Sequence, residues 1–307
     1  MPVDYIESKY AAQLSQGQIT QEQVDAIKDI YGLNDDVFTG YCKWLGNFFQ
    51  GNLGDSFIYS VTLPDGSSSQ KVVDVISSKM GISFLLAFIS TILQYLIAIP
   101  LGIISATKQY SFTDYSVTVL AMMGISLPSF FLGALLMRVF SVELGWFPLQ
   151  GLVDATVIHT DLWSLFLDQT WHLVLPMVVL VVLSIGGLMR YTRTNMLEVL
   201  NSDYIRTARA KGLSEHTVVY KHAFRNTLIP LVTMLAGVLP GLFGGAMITE
   251  TVFAIPGIGQ AAYTAVVRGD IPMIMAYNMF LAILSIFGVL LSDLMYAVVD
   301  PRVKIGK

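Results

Sequence analysis

The sequence predicts an all-α, polytopic transmembrane helical bundle with a small extracytoplasmic N-terminal region. Three observations lead there. Of 307 residues, 54% are hydrophobic and only 13% charged, with a mean hydropathy of +0.63, whereas soluble domains are about 45–50% apolar and about 25% charged. Five stretches are long and apolar enough to span, given the roughly 20 residues that a membrane-crossing helix needs. One loop, 192–227, gathers Arg193, Arg206, Arg209, Lys211, Lys221 and Arg225, six of the 18 Lys and Arg in the chain.

The N-terminal region, 1–81, reads as a folded piece rather than a leader. Thr20 with Gln23 makes a capping box, and Ile19 with Val24 a hydrophobic staple. Val24, Ile27 and Ile30/Tyr31 then form an apolar stripe that ends at Gly32. Cys42, the single cysteine, rules out an internal disulfide framework and is expected to be a small half-buried residue.

The transmembrane domain, 82–307, follows. Its expected spans are about 82–107, 115–142, 173–191, 228–251 and 276–299. Orientation comes from the basic residues. With 192–227 inside, the 143–172 loop lies outside; it has no Lys or Arg but carries Glu143, Asp154, Asp161 and Asp168. The turn 108–114, with Lys108, falls inside, as does the C-terminal tail with Arg302, Lys304 and Lys307. Trp146 and Trp171 stand where an outer aromatic belt belongs. This topology puts 1–81 outside with neither a signal peptide nor an earlier span to carry it across. The expectation is that a first transmembrane helix is missing from the chain through a late assigned start.

Within the spans, Leu239 to Gly245 and Gly124 to Pro128 break helix regularity, serving as pivots or pathway lining, or simply letting helices pack closely. The intramembrane polar residues are Gln94, Arg138, Glu250, Asn278 and Asp293. Arg138 and Glu250 sit near the outer ends of their spans, where they can snorkel. Asp293 is deeper, and a buried partner is expected for it.

The 192–227 segment is too patterned for a mere connector. Leu197, Leu200, Tyr204, Ala208 and Lys211 recur at helical spacing before Gly212 breaks the run. Ser214 caps a second helix starting at Glu215 and carrying Val218, Val219 and Phe224. A helix–Gly–helix on the cytoplasmic face is a docking surface for a soluble partner; an ordinary basic loop is the plainer reading of the same residues.

Catalytic signatures are missing. There is no GxxxxGK[ST] phosphate loop and no HExxH, and His159, His172, His216 and His222 have no ligand spacing. The chain is expected to be no enzyme and to carry no cofactor or metal. Its net charge of −4 argues against nucleic acid as a partner.

The segment DYIRTARAKGLSEHTVVYKHAFRNTLIP, Asp203 to Pro230, resembles the cytoplasmic coupling motif of bacterial ABC importer permeases in the oligopeptide/dipeptide branch. ETVFAIPGIGQ, Glu250 to Gln260, and SDLMYAVVDPRVK, Ser292 to Lys304, resemble two further signatures of the family. GNLGDSF, Gly51 to Phe57, is similar to part of the extracytoplasmic region of the B-type permease, and the likeness covers essentially the whole chain. Three departures stand out. Arg206-Thr207-Ala208 replaces the generic Glu-Ala-Ala before the glycine, as the peptide branch prefers. The family's first span and the Pro-Gly-Asp-Pro-like stretch after it are absent. Asp36 stands where the family often has proline.

The resemblance implies a type I importer permease that imports peptides, with oligopeptides as the chosen cargo and dipeptides, glutathione or nickel complexes as alternatives. Its implied partners are a second permease subunit in a pseudo-heterodimer, two ABC ATPase subunits, an extracytoplasmic peptide-binding protein and membrane lipid, in a bacterial plasma membrane. ATPase coupling is expected at Tyr204, Arg206, Ala208, Arg209, Lys211, Gly212, Leu213 and Arg225. The arginines and the lysine would pair with acidic groups, while Tyr204, Ala208 and Leu213 anchor apolar contacts. An ion-coupled secondary carrier is the rival; it needs buried ionisable residues along the pathway, which the spans supply poorly.

Overall fold

A computed structural model describes residues 10, 14–17, 19–30 and 36–299. Tyr31, Gly32 and the C-terminal basic residues Arg302, Lys304 and Lys307 lie outside the described residues. Apart from one two-stranded hairpin, Val61–Thr62 with Ser68–Ser69, regular structure in the described residues is helical. The expected all-α polytopic architecture is therefore the one observed. The chain divides into two compact units, Met1–Ser78 with Ala262–Met279, and Lys79–Ala261 with Phe280–Lys307.

In the first unit, α1 (Gln21–Ile30) and α2 (Val37–Phe49) are short amphipathic helices. Val24 is buried on α1. Asp36 caps α2, its carboxylate accepting the amides of Phe38 and Thr39, so the departure from proline supplies an N-cap. Cys42 is exposed rather than half-buried, on a face of α2 that also leaves Phe38, Tyr41 and Phe49 exposed. The N-terminal region is joined here by distant residues: Ser56 donates to Asp270 at 2.5 Å, and both are buried.

Among the described residues, three helices are long and apolar enough to cross a membrane: α3 (Val72–Thr107), α6 (Leu162–Leu200) and α12 (Ile271–Val299, its spanning part Ile271–Met295). A fourth candidate is a broken one. The stretch read as 115–142 is α4 (Phe112–Ser126) followed by α5 (Ser129–Leu136) and a π-helical turn Met137–Glu143, with a bend of 102° between the halves. Pro128 accounts for the break, since it lacks an N–H and forces Leu127 into an extended conformation. The stretch read as 228–251 is likewise not one helix. It comprises α8 (Phe224–Ala236), α9 (Leu239–Gly244) and α10 (Met247–Val252), interrupted around Gly237 and at Gly245, whose φ is +76°. Helix α11 (Ile258–Arg268) precedes α12.

Helix α6 is the central post of the second unit: half of its most apolar window is buried, against 22% for α3 and 11% for α12. Close backbone approach explains the small residues around it. A Cβ on Gly124 of α4 would lie 2.5 Å from the Val182 carbonyl of α6, so close packing is one use of that glycine. Conversely, α12 leaves Ile286, Phe287, Val289, Leu290 and Leu294 exposed, a surface suited to lipid or another membrane subunit. Asp293 is exposed on this helix and has no partner among the described residues, contrary to the expected buried pair.

Candidate functional site

The basic segment folds as a hairpin of helices. It begins inside α6, continues through α7 (Asp203–Ala210), and returns through a π-helical turn, Thr217–Ala223, into α8. The reversal is made by Gly212 at φ +75°, where its amide donates to Arg209 O at 2.9 Å. The Ser214 hydroxyl accepts the Thr217 amide at 3.4 Å, a loose cap for the returning helix.

One face of the hairpin is core. Ile205, Ala208, Val218, Val219 and Ala223 pack with Met196, Leu200, Ile103 and Ala106 from α6 and α3. The Thr227 hydroxyl donates to the Met196 sulfur at 3.2 Å, which fixes the start of α8 to α6. Ala208, expected among the apolar anchors for a partner, therefore belongs to this internal face. The other face is open: Tyr204, Leu213 and Tyr220 are exposed, as are Arg206, Arg209, Lys211, Lys221 and Arg225. Two of these cations are already engaged. Arg209 makes a two-point pair with Glu215, at 2.7 and 3.3 Å, across the turn. Arg206 lies 3.6 Å from Asp203. Lys211, Lys221 and Arg225 make no ion pair with a described residue, so their charge is presented outward.

A second cluster, not evident from the sequence alone, joins the hairpin's base to the neighbouring helices. Asp114, in the first turn of α4, is buried and accepts Arg193 Nη2 at 2.9 Å and Arg193 Nε at 3.1 Å. The Ser105 hydroxyl from α3 donates to the same carboxylate, as does the Tyr110 amide at 3.0 Å. Arg193 is thus not part of the presented charge: it clamps α3, α4 and α6 together. Two signals in the sequence bear on this pair, a basic residue early in the island and an acidic one at the end of a turn read only for its Lys108.

A third cluster corrects the reading of Glu250. Rather than snorkelling, Glu250 is fully buried. Its carboxylate accepts the Ser83 hydroxyl at 2.7 Å, the Ala246 amide at 3.0 Å and the Gln260 amide at 2.9 Å. Ser83 in turn accepts the Ile258 amide at 2.8 Å. The segment after α10 folds back over the carboxylate, and any Cβ at Gly257 would collide with it. Glycines placed within ten residues of an acidic residue were the available signal. Arg138 does remain exposed, paired with Glu143 at 3.0 Å.

The 143–172 segment holds one more polar cluster. The Asp168 carboxylate meets His159 Nε2 at 2.9 Å and His172 Nδ1 at 3.1 Å, and accepts the Asp154 amide at 2.8 Å. Two of the four histidines thus brace this segment through a shared carboxylate.

Apolar helices long enough to cross a membrane, with a basic helical hairpin fixed to two of them, define the class: a multi-pass, all-α membrane protein. Residues 98–305 match the family model for the binding-protein-dependent transport system inner membrane component. The chain belongs to that family, and is a multi-pass membrane permease of an ABC importer. It is 40% identical over 287 residues to the oligopeptide transport system permease protein AppB of Bacillus subtilis (strain 168), covering 94% of this chain and 87% of that protein. It is 34% identical to the dipeptide transport system permease protein DppB of Lactococcus lactis subsp. cremoris (strain MG1363), covering 95% and 88%. Among solved structures, an inward-facing form of the MetNI methionine ABC transporter resembles it with a TM-score of 0.56. That match has 18% identity and covers 74% of this chain and 97% of the MetNI chain; it shares the fold.

Proposed function

We propose that this chain forms half of the translocation pathway of an ATP-driven peptide importer, with oligopeptides as cargo. The supporting observation is the hairpin at Gly212, whose inner face is locked into the core while its outer face carries Tyr204, Leu213 and unpaired cations. An element rigidly joined to the crossing helices transmits force; one that hangs free does not. Its open face suits a groove on an ABC ATPase, with Lys211 and Arg225 toward acidic groups and Tyr204 and Leu213 as apolar anchors. Arg206 and Arg209 take part by exchanging their internal carboxylate partners for those of the ATPase.

In this reading two ATPase subunits close on ATP and push this hairpin and its counterpart on a second permease subunit. The crossing helices then rock between inward- and outward-facing states as rigid bodies. The C-terminus and 192–227 lie in the cytoplasm, as the basic residues require. Residues 1–81 and the acidic 143–172 segment face a peptide-binding protein that delivers the cargo. The choice of peptide rests on the relatives named above, and the chain itself supplies the pathway and the lever.

Co-purification tests the proposal. The tagged chain is expressed with its neighbouring genes, extracted in detergent and assayed for a bound ATPase subunit, alongside Gly212→Pro. An ATPase that accompanies the parent and is lost from the variant supports the coupling assignment. Retention of an ATPase by Gly212→Pro would remove the hairpin from that role.

A further inference from the structure

A recess of about 400 Å³ lies between α4 and α6, lined by Tyr110, Tyr115, Thr118, Met122, Arg190 and Thr194 together with the Asp114–Arg193 pair and Met189. Asp114 and Arg193 neutralise one another. The Arg190 guanidinium makes no ion pair with a described residue, so the lining carries one net positive charge. Lys108, which opens the adjoining turn, is likewise unpaired among the described residues.

The recess sits where helices leave the apolar layer. Tyr110, Phe112 and Tyr115 are exposed around the start of α4, and exposed aromatics at a helix end mark the membrane–water boundary. Val119, one helical turn beyond Tyr115, and Met123 are exposed and apolar, facing what would be hydrocarbon. Tyr110 adopts φ +61°, a left-handed conformation that favours glycine, and its amide is held by Asp114. Such strain persists where surrounding structure fixes it. A cationic head site, flanking tyrosines and an apolar wall one turn deeper match one ligand chemistry: a phosphodiester with acyl chains.

We infer that this recess binds an anionic phospholipid, with Arg190 as the main headgroup contact and Tyr110 and Tyr115 framing the phosphate. Basic pockets between membrane helices take lipid phosphates in this way. Lipid binding here requires the membrane-spanning character of α3, α4 and α6, and is independent of the cargo and of the ATPase contact.

The test is native mass spectrometry of the purified full chain with phosphatidylglycerol, phosphatidylcholine or inorganic phosphate added. Phosphatidylglycerol is expected to be retained over phosphatidylcholine, and Arg190→Gln to lower that preference about fivefold, the factor one arginine near an anionic surface supplies. Arg190→Lys keeps most of the preference. Thr194→Glu, at an exposed position one turn from Arg190, abolishes it by placing a carboxylate beside the guanidinium. Thr194→Glu decides the matter if Arg190→Gln does not fold. Equal retention of the two lipids, or a preference untouched by Arg190→Gln and by Thr194→Glu, overturns the proposal. Displacement of phosphatidylglycerol by millimolar inorganic phosphate would overturn its lipid part and leave a free-anion site.

Discussion

Ser83 and Glu250, 167 residues apart in sequence, meet in a buried hydrogen bond of 2.7 Å that ties α3 to the end of α10. The bond fixes more than two side chains. Through Ser83 and through the second carboxylate oxygen, the amides of Ile258 and Gln260 are brought onto the same knot. The fold-back after α10 therefore has its polar groups satisfied inside an otherwise apolar region.

Replacing Glu250 by alanine would leave the Ser83 hydroxyl and two amides without their acceptor, at about 1–3 kcal/mol for each unsatisfied buried group. The thermal midpoint of the detergent-solubilised chain is expected to fall sharply in Glu250→Ala and less in Glu250→Gln, which keeps one accepting oxygen. Gly257→Ala should resemble Glu250→Ala, because its Cβ would occupy the carboxylate's space. An unchanged midpoint in Glu250→Ala would refute the structural role of the knot.

The Asp114–Arg193 pair predicts an asymmetry. The Asp114 side chain is 5% exposed and that of Arg193 26%. Removing one partner of a buried pair costs about 3–5 kcal/mol, because the other charge is left uncompensated. The stranded charge is the more buried one in Arg193→Ala, so this variant should be less stable than Asp114→Ala. The double variant should lose less than the sum of the two. Additive losses in a denaturation cycle would show that the two groups do not support one another.

How much of this was legible in the sequence follows from what each signal reports. Run length and the placement of basic residues expose crossing helices and the hairpin, since both are properties of local sequence. Gly212 was readable because a turn in the left-handed region calls for glycine at that residue itself. The bend at Pro128 and the division of 228–251 were visible as helix breakers, but not as an angle of 102° or as separate helices. Glu250 and Asp114 were opaque for another reason. Their partners, Ser83 and Arg193, are far away in sequence, and apolar flanks look the same whether a carboxylate faces lipid, water or a glycine-lined fold-back. Asp293 illustrates the converse, a polar residue in a long apolar helix that is exposed on the single chain.

Acidity should loosen the turn at Asp154 only late. The Thr156 hydroxyl and then its amide, at 2.7 and 2.8 Å from Asp154, hold the Asp154 carboxyl below the usual carboxylate range. A depressed acid contributes stability that is fully present above its unfolded pKa and is lost as pH falls through the folded one. Exchange protection of the Thr156 amide, corrected for intrinsic rate, is thus expected to stay level between pH 7 and pH 5, a range wholly above the ordinary aspartate value of about 3.9. It should decline only below that value, and Asp154→Asn should lower it at every pH. A decline already complete by pH 5 would show that another group governs this turn.

At Gly212 the space and the backbone make opposite demands, which permits a graded test. A Cβ there would meet no atom within 4 Å, yet φ is +75°. Substitution therefore costs only the left-handed conformation, about 1–2 kcal/mol for an ordinary residue and less for asparagine. Because the residue lies beyond the buried face of α7, the crossing helices should be indifferent to it. Expected recovery of co-purified ATPase follows the order parent, Gly212→Asn, Gly212→Ala, Gly212→Pro, while the thermal midpoint of the permease itself changes far less. If alanine and asparagine behave alike, the handedness of the turn has no part in coupling. If recovery instead tracks the midpoint across all three variants, the hairpin acts through the stability of the permease and not as a docking surface.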